Sequence, residues 1–163
     1  PRNFEIFSGI VLPAHGEYSF LRRHYQVLSA SRRAVSINAI YEDGPFYSGQ
    51  RRQVNGTVSF RPHRGWLINA GADYNQVALK EGHFTTRVWR NDINTQFNPF
   101  VSLVNRLQFD TVTRQLGWQS RFRWIIKPGN DLYLVYSQNW KDQTTLQTLD
   151  RKGSIKVSKT LRF

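Results

Sequence analysis

Cysteine and methionine are both absent from the 163-residue chain. Without cysteine there is no disulfide, no thiolate metal site and no thiol nucleophile. Without a methionine, and with an opening PRNFEIFSGIVLP that lacks a basic-then-apolar leader, the chain is expected to be a processed or truncated part of a longer protein. Long apolar runs are missing too. The longest, LYLVY at residues 132–136, is far shorter than the ~20 residues of a membrane-spanning helix, which leaves strands as the way across a bilayer. Acidic residues are scarce: 11 Asp and Glu stand against 23 Lys and Arg, a net charge of +12. An anionic partner is therefore expected, whether lipopolysaccharide, nucleic acid or an acidic solute. The histidines His15, His24, His63 and His83 show no metal-ligand spacing, so neither metal nor cofactor is expected. GxSxG and glycine-rich phosphate loops are missing, and no catalytic residue is assigned.

What is present is alternation. Over residues 116–126, Leu116, Trp118, Phe122, Trp124 and Ile126 share one parity, while Gly117, Gln119, Arg121 and Arg123 take the other. That is a strand with one apolar and one polar face. The pattern recurs over 33–42, 53–61, 66–75, 87–97, 101–111 and 155–163. Residues 4–12 and 18–29 look extended with unassigned faces, and 131–140 is expected to turn Leu132, Leu134 and Tyr136 to the apolar side. The expectation is a single all-β domain over residues 1–163: an antiparallel meander of about ten long strands, forming a transmembrane β-barrel or the C-terminal portion of a larger one. Tight turns are expected at Ala30, Pro62, Asn98 and Pro128, with longer loops on the opposite side, the asymmetry of an outer-membrane barrel.

On that reading Trp89, Leu107, Phe109, Trp118, Phe122 and Trp124 face lipid. Arg90, Asp92, Arg106, Asp110, Arg121 and Arg123 form a charged ladder facing the lumen, where charge costs far less than the ~2–4 kcal/mol of the lipid midplane. The ladder serves either as an ion-pair network filling the interior or as a positive constriction favouring anionic solutes. Two aromatic girdles are expected, Phe60, Trp66, Phe97, Phe100 and Phe163 at one end and Tyr41, Tyr74, Phe84 and Trp140 at the other. A soluble sandwich would also alternate, and a soluble basic β-protein binding nucleic acid is an alternative. RNA-binding sheets, however, mix aromatics and bases on one face, whereas here the two are segregated, so no nucleic acid is expected.

The segments YEDGPFYSGQRR, FTTRVWR, FDTVTRQLGWQSRFRWIIKPGNDLYLVYSQNW and SIKVSKTLRF together resemble the C-terminal barrel of an uncharacterised bacterial outer-membrane family. That family joins a carbohydrate-binding-family-9-like β-sandwich to a long β-barrel domain of unknown function. The likeness runs over residues 41–163 and is most specific in RWIIKPGNDLYLVYSQ. It implies a bacterial outer-membrane location, a missing upstream sugar-binding domain, and a porin-like anchor or pore coupled to carbohydrate binding or uptake. Ile155, Val157, Leu161 and Phe163 look like the C-terminal insertion signal read by the barrel-assembly machinery. Outer-membrane lipid, lipopolysaccharide and a carbohydrate or anionic solute are the other implied partners. A barrel enzyme of the lipid or glycan hydrolase type is the alternative, since such enzymes place Ser and His at a barrel wall.

Overall fold

A computed structural model describes residues 3–13, 18 and 20–160. The chain is all-β. A short hairpin, β1 (Phe4–Phe7) and β2 (Ile10–Leu12), precedes β3 (Arg23–Leu28), β4 (Val35–Phe46), β5 (Gly49–Phe60), β6 (Trp66–Leu79), β7 (Gly82–Asn98), β8 (Val101–Asp110), β9 (Gln115–Lys127), β10 (Asn130–Asp142) and β11 (Leu146–Lys159). Strands β3 to β11 form one nine-stranded antiparallel meander in chain order. The sheet does not close into a barrel: β3 and β11 are its free edges. Successive strands alternate in direction, so these two edges run the same way.

The strands form where apolar, β-branched and aromatic residues recur at period two, and β4 to β11 are long, from 10 residues in β8 to 17 in β7. Residues 4–12, expected as one extended segment, instead make a hairpin. Gly9 takes the left-handed φ of 78° and its N–H donates to Glu5 Oε1 at 2.6 Å, which reverses the chain between two short apolar runs. Among the described residues of 18–29, Arg23–Leu28 form the strand that pairs with β4.

The expected loop asymmetry is not there. Connections 47–48, 80–81, 111–114 and 143–145 at one end are as short as 29–34, 61–65, 99–100 and 128–129 at the other. EDGPFYSGQ is mostly strand, with Pro45 opposite Gln50 and Phe46 opposite Gly49, because a left-handed Tyr47 (φ 49°) lets the chain reverse in two residues.

At the other end, Gly65 has φ 82° and lies so close to the Gln96 carbonyl that a Cβ would collide with it. Gly56, inside β5, has open space where a Cβ would go. Gly65→Ala is therefore expected to lower stability by ~1–3 kcal/mol, and Gly56→Ala to leave it level or slightly raised. Urea unfolding of the two variants checks this.

Almost nothing is buried. Among the described residues the buried apolar side chains are Ile10, Leu12 and Val77. They gather at one end of the sheet, where Phe7 of the hairpin stacks on Phe84 at 4.3 Å between centroids and Ile10 lies against Gly82.

Candidate functional site

In an antiparallel ladder directly opposed residues project from the same face, so the register assigns every side chain. One row runs Ser36, Ser59, Asn69, Asp92, Arg106, Gln119, Ser137 and Lys152 from β4 to β11, polar at every strand. The next row toward the 47–48 end contains Arg90, Gln108, Gly117, Asn139 and Asp150, and the one beyond it Asn55, Asp73, Asp110, Gln115 and Lys141. Toward the 61–65 end lie Arg121 and then Arg123, the latter level with Tyr133 and Lys156. All six ladder residues named from the sequence therefore share one face.

Their partners differ. Arg106 donates from Nε to Asp92 Oδ1 at 2.8 Å, straight across the β7–β8 pair. Arg90 pairs with Asp73 on β6 at 2.5 Å, and Arg123 with Asp131 on β10 at 3.2 Å. Asp110 pairs with no cation among the described residues; its Oδ1 accepts from the Val112 N–H at 2.8 Å and holds the 111–114 turn. Arg121 has no ion pair or hydrogen-bond partner among the described residues. Asp73 and Asp131 complete the ladder as much as the residues singled out from sequence do. Arg51, which donates to Asn75 Oδ1 at 2.7 Å and to Gln53 Oε1 at 2.5 Å, extends it toward the 47–48 end.

Charge is unevenly spread along this face. Beyond the Asp92–Arg106 row toward the 61–65 end, Arg61, Arg121, Arg123 and Lys156 meet a single carboxylate, Asp131. In the other direction Glu42, Asp73, Asp110 and Asp150 offset Arg51, Arg90 and Lys141. A hollow of about 530 Å³ opens on this second stretch, from the Arg106 row toward the 111–114 turn, lined by Arg106, Gln108, Asp110, Gln115, Gln119 and Asn139. Its walls can hydrogen-bond a polar solute. No cluster of three metal-ligating side chains exists among the described residues; His24 instead contacts Glu42 at 2.8 Å, and His15 lies outside them.

The opposite face carries Trp89 beside Phe109, Leu107 beside Trp118, and Phe122 and Trp124 in the rows toward the 99–100 turn. Nothing among the described residues covers it: Trp89 is 52% exposed, Ile126 51% and Ile155 74%. Aromatics mark both ends. Tyr25, Tyr41 and Tyr74 occupy one row near the 47–48 end, and Phe60, Trp66, Phe97 and Phe100 lie toward the other. Phe84, expected in the first of these bands, is on the polar side, level with Arg51 and Val77, because the hairpin's Phe7 meets it there. The hairpin thus packs on the polar face at that end.

Just past the tyrosine row the apolar face becomes polar, with the Arg23–Asp43 pair, Arg52 and Gln76 in line. Of the C-terminal residues, Ile155 and Val157 lie on the apolar face, level with Leu134 and Leu132, while Leu161 and Phe163 are outside the described residues.

No protein-family model, curated protein or solved structure matches the chain. The family resemblance rests on the quoted segments alone.

Proposed function

We propose that this chain is a stretch of transmembrane β-barrel from a bacterial outer membrane, acting as anchor or pore, with the apolar face toward lipid and the polar face toward the lumen. The observation that carries the reading is the inverted burial. A nine-stranded sheet leaves an aromatic-rich face bare while charges gather on the other, six of them in three ion pairs. A soluble protein of this length hides its large apolar side chains, and here three are buried among the described residues. At a ~3.3 Å rise and ~45° tilt, ten residues traverse roughly 23 Å, close to the apolar band of such barrels. The aromatic rows at either end fit the two interfaces, and Arg23 and Arg52 beyond the tyrosines fit the level of lipopolysaccharide phosphates.

Closure then has an arithmetic requirement. Because β3 and β11 run in the same direction, an all-antiparallel barrel needs an odd number of further strands between them. A ring of copies in one orientation fails the same test, since each β11–β3 seam would be parallel. Strands supplied by a longer protein satisfy it, and the resemblance to the outer-membrane family suggests which kind. In that protein an upstream domain binds sugar, the hollow beside Gln108 and Gln119 passes a carbohydrate or anionic solute, and the C-terminal strand is read by the barrel-assembly machinery.

The test is extraction. The protein is expected to stay with the membrane through alkaline carbonate and ~4 M urea, and to leave only with detergent. Release into the aqueous phase as a monodisperse species would sink the membrane reading.

A further inference from the structure

The apolar face carries a polar arc that hydrocarbon does not satisfy. Asn91 on β7, Asn105 on β8, Ser120 on β9 and Gln138 on β10 all project from it, in two adjacent rows near the middle of their strands. Asn105 and Ser120 are directly opposed, while Asn91 and Gln138 share a row with Leu107 and Trp118 between them. Gln138 is engaged at both ends of its amide: the Tyr136 hydroxyl donates to its Oε1 at 2.8 Å, and its Nε2 donates to Thr148 Oγ1 at 3.4 Å. The side chains of Asn91, Asn105 and Ser120 have no partner among the described residues. Arg151, opposite Gln138, borders the arc at the sheet's edge.

Exposed to water these groups would cost nothing, but at mid-height in a bilayer no water reaches them. An amide without a partner in an alkane-like medium costs several kcal/mol. The membrane reading therefore requires that something other than lipid cover this patch. At its centre the patch is neutral, and each of its amides both donates and accepts, so it is complementary to itself. Self-complementarity is the requirement of a two-fold contact between identical surfaces. Leu107 and Trp118 supply the apolar anchors such a contact needs. An acidic or basic partner would find no opposite charge at the centre.

We propose that the β7–β10 part of this face docks a second copy of the same chain, related by a two-fold axis passing near Asn105 and Ser120. The proposal rests on the membrane reading for the cost of leaving the amides bare. Across the axis, Asn105 and Ser120 of one copy meet their counterparts, and Asn91 meets the partner's β10 surface. Interhelical amide contacts in membranes are worth roughly 1 kcal/mol each, and the same currency applies between barrel walls.

Within the 163 residues no native cysteine competes with an introduced one. A single Ser120→Cys in the full-length protein in its own membrane is expected to form a disulfide-linked dimer on mild oxidation. Ala39→Cys, on the same face but on β4, is expected not to. Adding Asn91→Leu and Asn105→Leu to Ser120→Cys should abolish the cross-link and weaken dimerisation in detergent by at least about tenfold. A protein that needs detergent yet stays monomeric and uncross-linked overturns the proposal and leaves the membrane reading standing. A cross-link that survives the double leucine substitution overturns the role given to the amides. A freely water-soluble protein that still cross-links through Ser120→Cys keeps the contact and removes the membrane.

Discussion

Phe122→Arg and Leu134→Arg are each expected to cost ~2–4 kcal/mol of folding stability in a bilayer, whereas Asn69→Arg, on the other face, should shift stability by no more than about 0.5 kcal/mol. Phe122 and Leu134 are opposed on β9 and β10, in a row with Leu103 and Ile155 near mid-strand, the level at which hydrocarbon tolerates a guanidinium least. Asn69 sits across from Asp92, so an arginine there meets a carboxylate already on the polar face. Urea unfolding in vesicles, followed by tryptophan emission, measures all three. The prediction separates two environments that geometry alone leaves alike, because a water-facing sheet face accepts an arginine in place of a half-exposed Leu134 at little cost. Near-neutral results at both apolar positions would place that face in water.

The nine-stranded sheet is largely legible in the sequence because alternation is strong and local. In β9 every second residue from Leu116 to Ile126 is apolar except Ser120, and the strand runs over Gln115–Lys127. The first 28 residues resist the same treatment. Phe4, Phe7, Ile10 and Leu12 break parity because the β1–β2 register shifts between Glu5 and Phe7, which sets Phe4 opposite Leu12 and Phe7 opposite Ile10. EDGPFYSGQ misleads for a different reason. Its Pro and Gly punctuate like a loop, yet a strand end tolerates both, Pro45 standing next to the last residue of β4.

At the site, polar parity marks Asp73 and Asp131 as surely as Asp92, but not which arginine each meets. That depends on register, and the register slips at bulges between Gln96 and Asn98 and between Asn130 and Asp131. A bulge is an event between two strands and leaves no mark in either one. The polar arc was hidden likewise: Asn91, Asn105 and Ser120 are single interruptions in three separate apolar patterns, and only the paired strands put them together.

On the proposed reading, the pairing pattern sets which charges an ion in the lumen would meet. Arg121→Gln in the reconstituted full-length protein is expected to move selectivity toward cations, and Asp131→Asn toward anions. The double variant Asp92→Asn/Arg106→Gln is expected to leave it unchanged. Arg106 and Asp92 cancel at 2.8 Å and present almost no field to a passing ion, so removing both removes no net charge. Arg121 has no such partner, and losing it subtracts a full positive charge from the end of the face where Arg61, Arg123 and Lys156 already outnumber Asp131. A unit charge roughly 8 Å from an ion in a water-filled lumen contributes about 0.5 kcal/mol. That favours an anion and disfavours a cation by similar amounts, so the permeability ratio should change roughly sixfold at low salt. At 1 M salt the Debye length falls to about 3 Å and most of the effect should vanish. Asp131→Asn acts with the opposite sign because it unmasks Arg123, whose Nε is buried without a partner and whose one ion pair is this carboxylate. Reversal potentials across planar bilayers report all of these shifts. Equal responses from Arg121→Gln and the double variant would mean that the ladder only fills space, and opposite shifts from Arg121→Gln and Asp131→Asn would mean that it selects.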